Sequence, residues 1–173
     1  KEKGISRNTI KNVLSKAQFL PKVIEYDRSQ PEFYEDTQTY IKKRANKNKV
    51  RNGKLIYYAN EKLIKEIEKK FNIEKELLIA LMGIETNFGK YLGKMDIISS
   101  LATLSFDKRR SDFFKNELIT LLKLIDDKII EPNTLFGSWA GALGNFQFMP
   151  STIKKYAIDY NKNKNIELKD IED

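Results

Sequence analysis

Glu85 closes an apolar run, Leu77-Leu78-Ile79-Ala80-Leu81-Met82-Gly83-Ile84, and Gly89 follows where a helix could end. A run this apolar predicts a buried helix. A carboxyl group in a dry setting, at the negative end of a helix dipole, holds its proton more readily than a solvated one. Such a group suits general acid catalysis near neutral pH. The other reading leaves Glu85 on the wet side of its helix, or capping a neighbouring loop.

The chain has no Cys and no His. That excludes thiol and Ser-His nucleophile systems and almost every zinc site, so any catalysis must use carboxylates, hydroxyls, amides, Lys or Arg. The 173 residues suffice for one domain with a proper core, and 40% hydrophobic with 32% charged residues is ordinary for a globular protein. No run reaches the length that crosses a bilayer. The chain starts at Lys1 with no apolar signal region, so a processed or trimmed form is expected. A net charge of +8 points to acidic partners, whether nucleic acid, anionic membrane or an acidic wall polymer.

The elements that position Glu85 are mostly helical. Ile10, Val13, Leu14 and Ala17 suit a short helix ending near Pro21, and Val23-Ile24 reads as extended. Pro31 opens an amphipathic helix through Phe33, Thr37, Tyr40, Ile41 and Arg44. Its end is basic, with Lys42, Lys43, Arg44, Lys47, Lys49, Arg51 and Lys54 and no acid among them. Cations are favourable at a helix C-terminus, so a solvated helix end is weighed against a nucleic-acid patch. Leu55-Ile56-Tyr57-Tyr58 is the one candidate strand. Asn60 suits a cap before Leu63, Ile64, Ile67 and Phe71, and Asn72 breaks that helix before the central one begins near Glu74. After a loop at Tyr91, Gly93 and Lys94, Asp96 or Ser99 caps a helix from Ile97 to Leu104. Asp107-Lys108-Arg109-Arg110 interrupts it, and Phe113 to Ile125 form a core-facing helix. Pro132 and Asn133 close that region.

A second unusual stretch runs from Gly137 to Ser151. Its three glycines permit close backbone approach. Trp139, Phe146, Phe148 and Met149 offer apolar faces beside the polar Ser138, Asn145 and Gln147, a mixture that suits a sugar ring. A tight helix crossing is the competing reading.

Three ordered pieces carry a resemblance: Gly83-Ile84-Glu85-Thr86-Asn87-Phe88-Gly89, Ser100 to Phe106 with Arg109-Arg110, and Gly137 to Ser151. Together they resemble the type B lytic murein transglycosylases from about Val13 onward. The resemblance implies a mainly α, lysozyme-like domain over residues 1–173, with residues 1–30 an extension packed on it and the family's C-terminal continuation missing. It implies peptidoglycan glycan strands as partner and a periplasmic or outer-membrane-associated location, with any membrane tether in an absent N-terminal segment. Glu85 would be the single acid/base, cleaving between N-acetylmuramic acid and N-acetylglucosamine to leave a 1,6-anhydro end. Ser138 would orient it, and Gln147, Phe148 and Met149 would line the sugar groove. Arg109 and Arg110 match a basic pair that binds sugar or stem peptide, or else form a surface pair beside Asp107 and Asp112.

No cofactor is required by that chemistry. The resemblance does imply a structural calcium on an EF-hand-like loop, with Asp159, Asn161, Asn163, Asn165 and Asp170 at ligand positions. Lys164 stands where that loop normally has Gly, and a polar Asn-rich turn is the alternative. The rival functions are a hydrolytic muramidase using Asp96, Asp107 or Asp112 as a second carboxylate, a non-catalytic wall-binding module, and nucleic-acid binding through Lys42–Lys54, which is not expected.

Overall fold

The computed structural model describes residues 4–30, 34–132, 135–163 and 166–171. In chain order its elements are α1 (Arg7–Asn12), a 3-10 turn (Leu14–Lys16), α2 (Pro21–Arg28), α3 (Thr37–Arg44), α4 (Lys47–Ala59), α5 (Glu61–Phe71), α6 (Lys75–Thr86), β1 (Met95–Asp96), α7 (Ile97–Phe106), α8 (Ser111–Asp126), β2 (Phe136–Gly137) and α9 (Pro150–Tyr156). The class is mainly α, as expected. The small extended pair is β1 with β2, antiparallel, with Met95 opposite Gly137 and Asp96 opposite Phe136. The chain divides into two compact units, residues 30–91 and residues 1–29 with 92–171.

The larger unit is built on α7. Its sequence is apolar or small all round, so Ile97, Ile98, Leu101 and Leu104 are buried along with Ser99, Ser100 and Thr103. Asp96 caps it, accepting from the Ser99 amide at 2.7 Å. Helix α8 packs against it with Phe114, Leu121, Leu122 and Leu124, and α9 adds Ile153 to the same core. Val23-Ile24 is helical rather than extended. Pro21 sits at the first position of α2, where its missing N–H and fixed φ cost nothing. Val23, fully buried, then joins the core. The Ser99 and Thr103 hydroxyls accept the amides of Gln18 and Leu20, each at 3.0 Å, and hold the incoming segment on α7.

The smaller unit holds α3 to α6. Two expectations change here. The basic stretch is not one helix end: α3 stops at Arg44, and Asn46 caps a new helix, accepting from the Lys49 amide at 3.0 Å. Leu55-Ile56-Tyr57-Tyr58 lies inside that helix, so the candidate strand is withdrawn. Helix α3 starts at Thr37 behind an Asp36 cap; the proposed start at Pro31 and Phe33 lies outside the described residues, as does Asn133. Asn72 and Asn87, both left-handed, end α5 and α6.

The fit of α6 on α4 depends on two glycines and one ring. A Cβ on Gly83 would stand 2.8 Å from the Phe88 ring, and one on Gly53 would stand 3.4 Å from that ring and 3.2 Å from Ile79. Phe88 itself has φ +63°, an uncommon left-handed value for a bulky residue. The turn holds because Phe88 N donates to Met82 O at 3.1 Å and Tyr91 N to Thr86 O at 2.9 Å.

Candidate active site

Glu85 stands on the last turn of α6, immediately before this strained turn. It is exposed, which corrects the expectation of a buried acid. The apolar run is apolar around the whole helix, but only the side bearing Met82, Gly83 and Thr86 is buried. Leu77, Leu81 and Ile84 form an uncovered strip, 53%, 43% and 53% exposed, and Glu85 lies at its edge. The hydrophobic pattern could not show which side the unit covers.

A cavity of about 430 Å³ opens beside Glu85. Asn46, Asn48, Lys49 and Asn52 of the α4 region face Glu85, Asn87 and Tyr91 across it. Amides of this kind hydrogen-bond sugar hydroxyl and acetamido groups in either sense. Among the described residues, Glu85 is the one acid in that lining and Lys49 the one cation. The Lys49 ammonium donates to the Gly83 carbonyl at 2.5 Å, so its position is tied to the end of α6. None of the α4 residues was singled out as a sugar contact from the sequence. The available signal was their spacing after a helix-capping Asn46, which puts Asn48, Lys49 and Asn52 within about one turn of each other.

The other expected site residues belong to the larger unit. The Ser138 hydroxyl accepts from the Ala142 amide at 2.9 Å, while the two backbones pair through Ser138 N to Ala142 O at 3.0 Å. Leu143 and Phe148 exchange both backbone hydrogen bonds, closing the 144–147 turn. Gln147 sits at the end of that turn with φ +51°, its side-chain amide donating to Gly144 O at 3.0 Å and Leu92 O at 3.4 Å. Phe146 and Phe148 stack at 5.9 Å, and Phe148 and Met149 are half-buried against the core. Ser138, Gln147, Phe148 and Met149 therefore share one folded loop. The start of α9 holds that loop in turn. Buried Glu117 of α8 accepts the Ser151 amide at 2.8 Å and its hydroxyl at 2.6 Å.

Arg109 and Arg110 form a separate cluster. Both bind the carboxylate of Asp27, which is 1% exposed; Arg109 does so at 2.7 Å and also donates to the Asp27 carbonyl. The pair thus ties α2 to the start of α8.

In the calcium-loop region the oxygens of Asp159 and Asn161 both accept the Asn163 amide at 3.0 Å. The Asn163 side chain donates to Glu167 at 2.6 Å, a ligand-position acid not picked out from the sequence. Asn165 lies outside the described residues. The donors are all oxygen, which fits a hard cation. Among the described residues no three acids converge, so the fit is that of a weak site.

The family model of the transglycosylase SLT domain matches residues 1–173. The membrane-bound lytic murein transglycosylase B of Escherichia coli (strain K12) is 33% identical over 177 residues, covering 96% of this chain and 49% of the relative. The chain spans about half the length of that curated relative. SltB3 of Pseudomonas aeruginosa, solved in complex with NAG-NAM-pentapeptide, superposes with a TM-score of 0.89 at 31% identity, covering 95% of this chain and 44% of that one. The Escherichia coli lytic transglycosylase Slt35, solved in complex with calcium, gives 0.86 at 34% identity, covering 98% and 55%.

Proposed function

The chain belongs to the transglycosylase SLT domain family, and on that premise we propose that it cleaves peptidoglycan glycan strands by a lytic, non-hydrolytic route with Glu85 as its single acid/base. Glu85 protonates the oxygen leaving N-acetylmuramic acid as the glycosidic bond breaks. The resulting carboxylate then takes the proton of the muramoyl 6-hydroxyl, whose oxygen attacks the anomeric carbon and closes the 1,6-anhydro ring. Atoms balance without water, because the nucleophile belongs to the substrate.

One observation carries this reading: among the described residues, Glu85 is the only acid lining its cavity. Glycosidases that hydrolyse through two carboxylates need a second one within roughly 5–10 Å of the first. The muramidase reading would need Asp96, Asp107 or Asp112. The Asp96 carboxylate is engaged as the α7 cap and that of Asp107 is bound to Arg28 at 2.7 Å, so the muramidase reading rests on Asp112, in the first turn of α8.

The amides of Asn48 and Asn52 are proposed to hold the sugar beside Glu85, and Ser138, Gln147, Phe148 and Met149 to contact the glycan from their own loop. Arg109 and Arg110 keep about 40% of their side chains exposed while bound to Asp27, which leaves guanidinium surface for an acidic stem peptide. The 159–170 turn is proposed to take a structural calcium through Asp159, Asn161, Glu167 and Asp170; a calcium-dependent rise in thermal midpoint, lost in Asp159→Asn, tests this. The activity is proposed to lie in the cell envelope outside the cytoplasm, a reading supported by a relative named as a membrane-bound murein transglycosylase.

The deciding experiment digests purified sacculi and weighs the products. The expected products carry anhydro ends, one water lighter than hydrolysed ends, and Glu85→Gln releases none while folding normally. Hydrolysed ends, or full activity in Glu85→Gln, reject the mechanism.

A further inference from the structure

Helix α4 begins at Lys47, so Lys47, Lys49 and Arg51 occupy its first turns, where the helix dipole favours anions instead. Lys47, Arg51 and Lys54 follow one another at i, i+4 and i+7, on one face, and like charges so spaced repel. All three are exposed, and none forms an ion pair among the described residues. Residues 37–60 hold seven Lys or Arg and no acid, and Glu35 just before them pairs with Lys43 and Arg44, on α3, rather than with the three on this face. Tyr58, 68% exposed, continues the same stripe, and Val50 and Leu55, 57% and 62% exposed, flank it. The opposite side of the helix, at Gly53, is buried against α6. A helix that gathers unpaired cations at mutually repelling positions is arranged for an anion from outside.

We propose that this outer face of α4 docks onto an anionic lipid surface. The three cations meet headgroup phosphates, Val50 and Leu55 enter the apolar boundary below them, and Tyr58 sits at the interface with its hydroxyl in the wet layer. A hydrated polyanion such as nucleic acid would satisfy the same three charges. It would leave Val50 and Leu55 in water, and those two side chains decide for lipid.

The test is co-flotation of the chain with phosphatidylcholine vesicles, with and without phosphatidylglycerol. Binding is expected only to the phosphatidylglycerol vesicles, weakening with salt. The Lys47→Gln/Arg51→Gln/Lys54→Gln variant should lose roughly 100-fold in partitioning, the effect of three charges near the surface. Val50→Ser/Leu55→Ser should lose several-fold with the charges intact. Circular dichroism checks each variant, and Arg51→Gln alone, with a loss of about five-fold, replaces the triple variant if that one does not fold. The proposal is overturned by equal flotation with neutral vesicles, by unchanged binding in the charge variants, or by binding that ignores Val50 and Leu55 and is matched on double-stranded DNA. Glycan cleavage plays no part in these readouts, so their failure leaves the enzymatic reading untouched.

Discussion

The ammonium of Lys49, on α4, donates to the backbone carbonyl of Gly83, on α6, at 2.5 Å. That carbonyl also accepts from Asn87 N at 3.2 Å, two residues beyond Glu85. Helix α6 has no basic residue in its own last turn. Lys49 therefore brings to its negative end, from a neighbouring helix, the cation that helix C-termini favour. The acid of the proposed reaction rides on a turn pinned from outside.

Removing the pin should be measurable. Lys49→Met is expected to cost about 1–2 kcal/mol, the worth of a half-buried charge-assisted hydrogen bond at a helix end, read as a lower urea midpoint with unchanged slope. Lys49→Arg should recover part of it. A Met variant as stable as the parent would show that the bond contributes nothing.

Asp27 governs a larger loss. Its carboxylate is buried between Arg109 and Arg110, whose side chains remain 40% and 41% exposed. Asp27→Asn leaves two guanidinium groups facing a neutral amide. The cost should be about 2–3 kcal/mol, below the range for a fully buried pair because both cations are partly solvated. If the arginines serve the fold as well as the glycan, Arg109→Gln lowers both the melting temperature and the affinity for sacculi. Lost affinity at unchanged stability would limit Arg109 to the substrate.

Gly93 tests how closely the chain before β1 meets the glycine-rich segment. Its φ is +85°, and a Cβ there would lie 2.0 Å from the Gly137 carbonyl oxygen and 2.6 Å from Ser138 N. Backbone cannot swing aside as a side chain can. Left-handed strain and overpacking together should make Gly93→Ala cost roughly 3 kcal/mol or more. A thermal midpoint unchanged in this variant would mean that the segment is looser than the structure shows.

Much of this was legible before the fold, and the failures have physical causes. The helix over the α6 run, and the choice of Asp96 or Ser99 as the cap of α7, follow from local patterns; the burial expected for Glu85 did not hold, because a run apolar on every side does not say which face the packing covers. Val23-Ile24 failed because Pro21 can end one helix or begin another, and only the packing of Val23 into the core decides. The basic stretch failed because Asn46 between cations looks like polar filler until its side chain is seen accepting the Lys49 amide. That one cap moved three cations from the favourable end of a helix to the unfavourable end. Asp27 and Glu117 were out of reach for a different reason. Their partners lie 82 and 34 residues away, and nothing in the neighbouring sequence announces a buried carboxylate.

Acid should loosen the contact between α1 and the end of α8. Asp126, at the end of α8, accepts from Ser6 N and the Ser6 hydroxyl, each at 2.7 Å, and from the Thr9 hydroxyl. The Thr9 hydrogen bond is the main cause, followed by the two from Ser6, that holds its carboxyl below the ordinary aspartate range. A depressed folded-state value means that the unfolded chain takes up the proton first as pH falls. The contribution of Asp126 is thus complete above about pH 4, the unfolded aspartate value, and disappears as pH drops through the lower folded value. Four carboxylates of the smaller unit, Glu35, Asp36, Glu61 and Glu68, are shifted the same way, so total stability falls over the same window. Asp126→Asn separates the local effect from that background. The difference in unfolding free energy between parent and variant should be constant from pH 7 to about pH 4 and shrink below it, and a difference that persists to the lowest pH at which both still fold would place the linkage elsewhere.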